Sequence, residues 1–187
     1  MQHEPPNNDA TIPHRVEVNL REVAQLFNTM DHSPFQERDL DHDAEEFIVS
    51  WVREFPINDP VVLIVYLSEL SPGPEPQPLV EEAVHNYFAY RARLNRLEFG
   101  RLMKEGRQCL AIGLIFLLGC LAVSNALAGQ ATGAFPSLTR ESLTIAGWVA
   151  MWRPMQIYLY DWWPLRRRGR VYEKLSRMRV EVRKRQA

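Results

Sequence analysis

The segment Asp39-Leu40-Asp41-His42-Asp43 offers three carboxylates and an imidazole within five residues, the group types that metal sites use. A calcium-binding EF-hand loop starting at Asp39 needs Gly at its sixth position and Glu at its twelfth. The chain has Ala44 and Ser50 there, and His3, His14, His32 and His85 show no ligand spacing. Acids in this place have a simpler use. With Glu45 and Glu46 they open a helical run, where unpaired N–H groups and the helix dipole favour negative charge. No Gly-rich phosphate loop, nucleophile elbow or paired-cysteine metal motif occurs. The sequence therefore names no catalytic residue, no cofactor site and no metal ligand, and an enzyme is the least favoured class.

Arg153 carries more information. It follows the apolar run Leu143–Trp152 and precedes Pro154. If residues 142–164 form a membrane span, Arg153 falls about 15 Å into it, near the midplane. A charge there costs roughly 2.5–3.5 kcal/mol and calls for a partner or a polar cavity. Pro154 has no N–H, so the carbonyl of Ala150 loses its helical partner and the helix kinks. Arg153 with Pro154 is thus a candidate intramembrane polar site, and the simpler alternative is a snorkelling arginine that fixes packing. In an antiparallel hairpin Arg153 is expected near Gly119 and Cys120. Asp161, about two turns away, is expected to be a poor partner. Ala122 with Ala126, and Ala146 with Ala150, fit a small-residue spacing for helix contact.

The elements that hold these residues follow from charge and hydropathy. Residues 1–80 hold 15 acids and 4 bases, residues 81–108 hold 4 and 6, and residues 130–187 hold 4 and 12. Residues 109–129 carry no charge, and only Ser124 and Asn125 are polar. Twenty-one residues of helix span roughly 31 Å, enough for a hydrocarbon core. The second span, 142–164, ends at Trp162 and Trp163, as an interfacial aromatic belt would. Six bases between Arg91 and Arg107 adjoin the first span and ten between Arg166 and Arg185 follow the second, with only Arg140 in the 130–141 loop. That bias places both termini in the cytoplasm of a two-span hairpin. Both cysteines, Cys109 and Cys120, lie in the first span, so no disulfide framework is indicated.

The remaining chain reads as a small α/β unit within a mostly helical protein. Residues 1–14 form a polar, proline-containing tail. Val16, Val18 and Leu20 alternate as a strand; Leu20, Val23, Ala24 and Phe27 then step as a helix face. Ser33, Pro34 and Gln36 fit a capped helix start. Ala44, Phe47, Ile48, Trp51, Val52 and Phe55 form the apolar face of a further helix that Pro56 stops. Val61–Leu67 is an unbroken apolar strand, of the kind covered on both faces. Residues 15–70 are thus a β-α-α-β domain, followed by a Pro-rich linker (71–78) and an amphipathic helix (79–108). Val80, Ala83, Tyr87, Tyr90, Leu94 and Leu97 stripe that helix, to pack on the sheet or on a second copy. Two strands make a poor sheet alone, so completion by a second subunit is expected. Residues 165–187, with Val171, Leu175, Met178 and Val182 on one side, read as a basic amphipathic helix. Arg166, Arg167, Arg168 and Arg170 are its candidate contacts to anionic inner-leaflet lipid or to an acidic partner. Nucleic acid is not expected, because the basic run adjoins a membrane anchor and no recognition fold is evident.

The run SPFQERDLDHDAEEFIVSW, Ser33 to Trp51, resembles a segment of uncharacterised bacterial two-span membrane proteins. The resemblance covers about a tenth of the chain. It implies a bacterial source and carries over no catalytic or binding residue. Together these readings give a bacterial inner-membrane anchor, scaffold or accessory subunit without a cofactor, homo-oligomeric or joined to a membrane complex. A small channel or transporter component is the alternative, and a membrane-tethered enzyme the third class.

Overall fold

The computed structural model describes residues 13–28, 34, 38–68, 76–128 and 134–185. Residues 1–12 of the polar tail, Ser33 and Gln36 of the capping box and residues 71–75 of the linker lie outside the described residues, whereas His14, assigned to the tail, is the first residue of the first strand. The protein is mostly helical, with a small three-stranded parallel sheet and one long apolar helix. It divides into two compact units: Met1–Leu94 with Gly169–Ala187, and Asn95–Arg168.

In the first unit, β1 (His14–Leu20), β2 (Val61–Leu67) and β3 (Arg179–Lys184) make a parallel sheet in the order β1-β2-β3. Val16, Leu63 and Val180 share one row, and Val18, Val65 and Val182 the next but one. This face meets α1 (His42–Glu54), the first part of α2 (Pro76–Ala128) and the end of α5 (Trp162–Leu175). Ile48, Val52, Val80, Val84, Phe88, Val171 and Leu175 join it in one core. The other face carries Arg15, Glu17 and Asn19 on β1 and Arg179, Glu181 and Arg183 on β3. Between them Val62, Ile64 and Tyr66 run down the middle, and Ile64 is only 1% exposed.

Several expectations are corrected here. The C-terminal basic helix is split: α5 stops at Leu175, a turn follows, and Arg179–Lys184 is β3. An apolar central strand has two edges of backbone donors and acceptors to satisfy. The chain supplies the second edge itself, with the Arg185 N–H continuing the ladder to the Leu67 carbonyl at 2.9 Å. The sheet therefore needs no second subunit to gain its third strand. The helix expected around Leu20–Phe27 is a single 3-10 turn, Val23–Leu26. Phe27 instead extends and bridges Leu40, with Asn28 N–H on the Asp39 carbonyl at 2.8 Å and Asp41 N–H on the Leu26 carbonyl at 3.0 Å. The buried face of α1 is also turned from the expected one: Glu45, Ile48, Val49 and Val52 are buried, whereas Phe47 and Trp51 are exposed. The stripe on α2 divides, with Val80, Ala83 and Tyr87 covering the sheet and Tyr90, Leu94 and Leu97 exposed. Pro76 and Pro78, assigned to the linker, lie in the first turn of α2, where a missing N–H is harmless.

In the second unit the later part of α2 runs beside α3 (Ala134–Ala150), which starts well before residue 142. The chain breaks at Met151, resumes as α4 (Trp152–Gln156) and widens into a π turn over Ile157–Asp161 before α5. Pro154 explains the break: its ring conflicts with the carbonyl four residues back, that of Ala150. The Met151 N–H falls back to the Trp148 carbonyl at 3.0 Å. Glycines set the helix contact. A Cβ built on Gly113 would meet the Ala150 carbonyl oxygen at 3.0 Å, and one on Gly147 would meet Leu117 at 2.8 Å. Gly100 has nothing within 4 Å. Gly100→Ala should therefore stabilise the helix by about 0.5–1 kcal/mol, whereas Gly113→Val should destabilise by about 1–3 kcal/mol. Thermal unfolding in mild detergent checks both. Equal effects of the two would show that Gly113 is not a contact.

Candidate functional site: an ion cluster and a buried carboxylate

Arg153 lies in α4 and is held by two acids. Its Nη2 donates to Glu105 Oε1 at 2.6 Å and its Nη1 to Asp161 Oδ2 at 3.2 Å. Asp161 is thus a direct partner, contrary to the sequence reading. The π turn winds the chain less per residue than an α-helix, which brings Asp161 back to the side on which Arg153 projects. Nor does Arg153 approach Gly119 and Cys120. Gly147 is the residue packed on Cys120, while Ala150 and Met151 meet Gly113 and Ile157 meets Gly106. Arg153 is accordingly level with the start of the charge-free run, beside Glu105, rather than halfway along it. Pro154, the next residue, is buried. A forked guanidinium between two carboxylates suits fixed packing.

The four arginines of α5, Arg166, Arg167, Arg168 and Arg170, are all exposed. Arg166 stands 5.7 Å over the Trp162 ring, and Trp162 in turn donates its Nε1–H to the Tyr158 carbonyl at 2.8 Å. Asn95 from α2 donates to the Leu165 carbonyl at 2.9 Å, bonding the start of α5 to α2.

The acidic segment acts as a cap. Asp41 is the N-cap of α1, its Oδ1 accepting from Asp43 N–H at 3.1 Å. Among the described residues, no group of three or more His, Cys, Asp or Glu side chains is placed to hold a metal ion. Glu45, read from the sequence as one more helix-start acid, is instead 7% exposed inside the first unit. Tyr87 donates to its Oε2 at 2.6 Å, and Arg91 approaches its Oε1 through Nε at 2.8 Å and Nη2 at 2.7 Å. Tyr172 adds a longer bond to Oε1 at 3.4 Å, and Arg91 stands 5.5 Å over the Tyr172 ring. Burial, and then the neighbouring Glu45 carboxylate, push the Tyr87 hydroxyl well above its ordinary pKa. The cluster ties α1, α2 and α5 together with every strong donor matched to one carboxylate. A signal for it exists in the sequence: Glu45 shares the Ile48, Val49 and Val52 side of α1, and Tyr87 and Arg91 lie four apart on α2.

One helix among the described residues, α2, is long and apolar enough to cross a membrane. Ile112, Ile115 and Leu118 on it are exposed, Ile115 by 72%. Comparison of the chain with protein-family models, with curated proteins and with solved structures finds no match in any of the three.

Proposed function

We propose that the chain is an integral protein of the bacterial inner membrane that serves as an anchor, scaffold or accessory subunit of a membrane complex. The observation that carries the reading is the uncharged end of α2, residues 109–128, with most of its large apolar side chains exposed. Such a surface is unfavourable in water and ordinary in lipid. The second span of the hairpin is supported by α3, packed on α2 through Gly113 and Gly147, with Ile145, Trp148 and Val149 exposed. The base-rich flanks favour a cytoplasmic location for both termini and for the α/β domain. The bacterial assignment rests on the Ser33–Trp51 resemblance. Arg166, Arg167, Arg168 and Arg170 are exposed and suited to anionic headgroups. Tyr90, Leu94 and Leu97, exposed beyond the domain core, are available to a second copy or to another subunit.

Gentle detergent extraction followed by mass spectrometry tests the reading. A foreign protein in fixed ratio is expected to co-purify; recovery of a homo-oligomer alone would weaken the accessory role. Release of the chain from membranes by alkaline carbonate would overturn the membrane reading itself. The Glu105–Arg153–Asp161 cluster favours one alternative, a channel or transporter component with a polar site. Arg153→Leu separates the two. A scaffold keeps its co-purifying partner after the change, whereas a transport component loses flux while remaining inserted.

A further inference from the structure

β1 and β3 carry the same four residues, Arg-Val-Glu-Val, at 15–18 and 179–182. The parallel register sets them side by side across β2, so that Glu17, Ile64 and Glu181 share a row. Beyond the repeat the two strands diverge. β1 continues as Asn19-Leu20, whereas β3 continues as Arg183-Lys184 and runs on into Arg185. At this carboxyl end of the sheet Asn19, Tyr66 and Arg183 form the next row on the face away from the helices. With Lys184 and Arg185 they line a cavity of about 490 Å³.

The chemistry of that lining is one-sided. Arg183 and Arg185 bring two cations to it, with an amide and a phenol and no carboxylate, while Lys184 adjoins it from the Leu20–Leu67 row of the opposite face. Glu181, one row back, binds Arg183 through Nε at 3.2 Å and Nη2 at 2.6 Å. That pairing uses one edge of the guanidinium fork and fixes its plane. Arg, Lys, Asn and Tyr side chains are the donors that hold phosphate oxygens elsewhere. The feature is a half-open groove whose volume is of small-molecule order.

We propose that the carboxyl end of the sheet is an anion site that binds a phosphate ester through Arg183 and Arg185, with Tyr66 and Asn19 as neutral donors. The phosphate is carried either by a soluble ester or by a phospholipid headgroup. A competing explanation of the bases is that β3 is an edge strand, and charged edges deter pairing with other chains. That accounts for Lys184 and Arg185 but not for an amide and a phenol gathered around the same cavity, and it predicts no phosphate binding.

The test is calorimetric titration of the full chain in uncharged, phosphate-free detergent with inorganic pyrophosphate. In parallel the chain is mixed with lipid nanodiscs of phosphatidylcholine, with and without phosphatidylglycerol. Saturable binding of pyrophosphate at one per chain identifies a soluble ester. A response to phosphatidylglycerol without one to pyrophosphate identifies a headgroup. In either case Arg183→Gln with Arg185→Gln should weaken binding about tenfold or more. Tyr66→Phe, which alters no charge, should weaken it several-fold. Arg93→Gln with Arg101→Gln removes the same charge from exposed positions on α2 and should leave binding within about twofold. Absence of saturable binding to both probes overturns the proposal. Equal loss in the Arg93/Arg101 control, or none in Tyr66→Phe, overturns it as well, because diffuse charge would then suffice.

Discussion

Val180→Asp is expected to unfold the α/β unit, while Arg179→Ala one residue earlier changes its stability by no more than about 0.5 kcal/mol. Val180 is 1% exposed and lies in register with Leu63, which is fully buried at the centre of the core. An aspartate there places an unpaired carboxylate among Val16, Leu63 and the covering helices, at a cost of about 3–5 kcal/mol. A small domain has total stability of the order of 5–15 kcal/mol, so that cost is a large share. Detaching β3 also strips hydrogen-bond partners from one edge of β2. The measurement is hydrogen exchange by mass spectrometry on the full chain, read at the amides of residues 61–67. Those amides should lose protection in Val180→Asp and keep it in Arg179→Ala. The result separates two secondary structures. In a helix with Val171, Leu175, Met178 and Val182 on its apolar side, Val180 lies off that side and tolerates aspartate. Retained protection in Val180→Asp would therefore favour the helix and remove β3.

The ambiguity behind that experiment shows how far the sequence reaches. β2 is legible because seven apolar residues between Pro60 and Ser68 have only one use in a small unit. α1 is legible as a helix from its stop at Pro56 and its acidic start, but its orientation is not. Phe47 and Trp51 look like core residues, yet Glu45 takes the inner side because a tyrosine and an arginine on α2 are there to meet it. Hydrophobicity alone ranks Trp above Glu for burial, and only the partner residues, 42 and 46 positions away, reverse that order. β3 hides behind two competing periods. Val171, Leu175, Met178 and Val182 step as a helix, whereas Val180 and Val182 alternate as a strand. The repeated Arg-Val-Glu-Val was the available signal, since the same four residues already read as strand at 15–18. Arg153 was legible as a polar exception, but its partners were not. Asp161 reaches it through a π turn that no residue pattern announced, and Glu105 through the pairing of α2 with the segment after α3.

Glu45→Ala is expected to cost about 2–4 kcal/mol, since it removes the acceptor shared by Tyr87 and Arg91. The side chain of Arg91 is 37% exposed and regains water in the variant, which keeps the loss below that of a fully buried pair. Tyr87 is the more strongly affected group, because its hydroxyl is buried. Glu45→Ala and Arg91→Ala should be non-additive, with a coupling of about 1–3 kcal/mol in a double-mutant cycle. Replacing all three with apolar residues of similar volume, as Glu45→Leu, Tyr87→Phe and Arg91→Met, should recover much of the loss. The same cluster sets an alkaline limit. The Tyr87 hydroxyl has its pKa raised in the folded state by burial and by the adjacent carboxylate. The folded chain thus holds this proton at pH values where the unfolded chain, titrating near the ordinary value of about 10, has released it. Stability from this group is complete below about pH 10 and declines above it, by up to about 1.4 kcal/mol per pH unit. Tyr87→Phe should lower stability at neutral pH by about 1–2 kcal/mol and flatten the decline above pH 10. Denaturant unfolding of the full chain between pH 7 and 11, followed by exchange at the 61–67 amides, reads both effects. An unchanged alkaline slope in Tyr87→Phe would show that other tyrosines or lysines set the limit. A Glu45→Ala chain as stable as the parent would show that the carboxylate is solvated rather than shared.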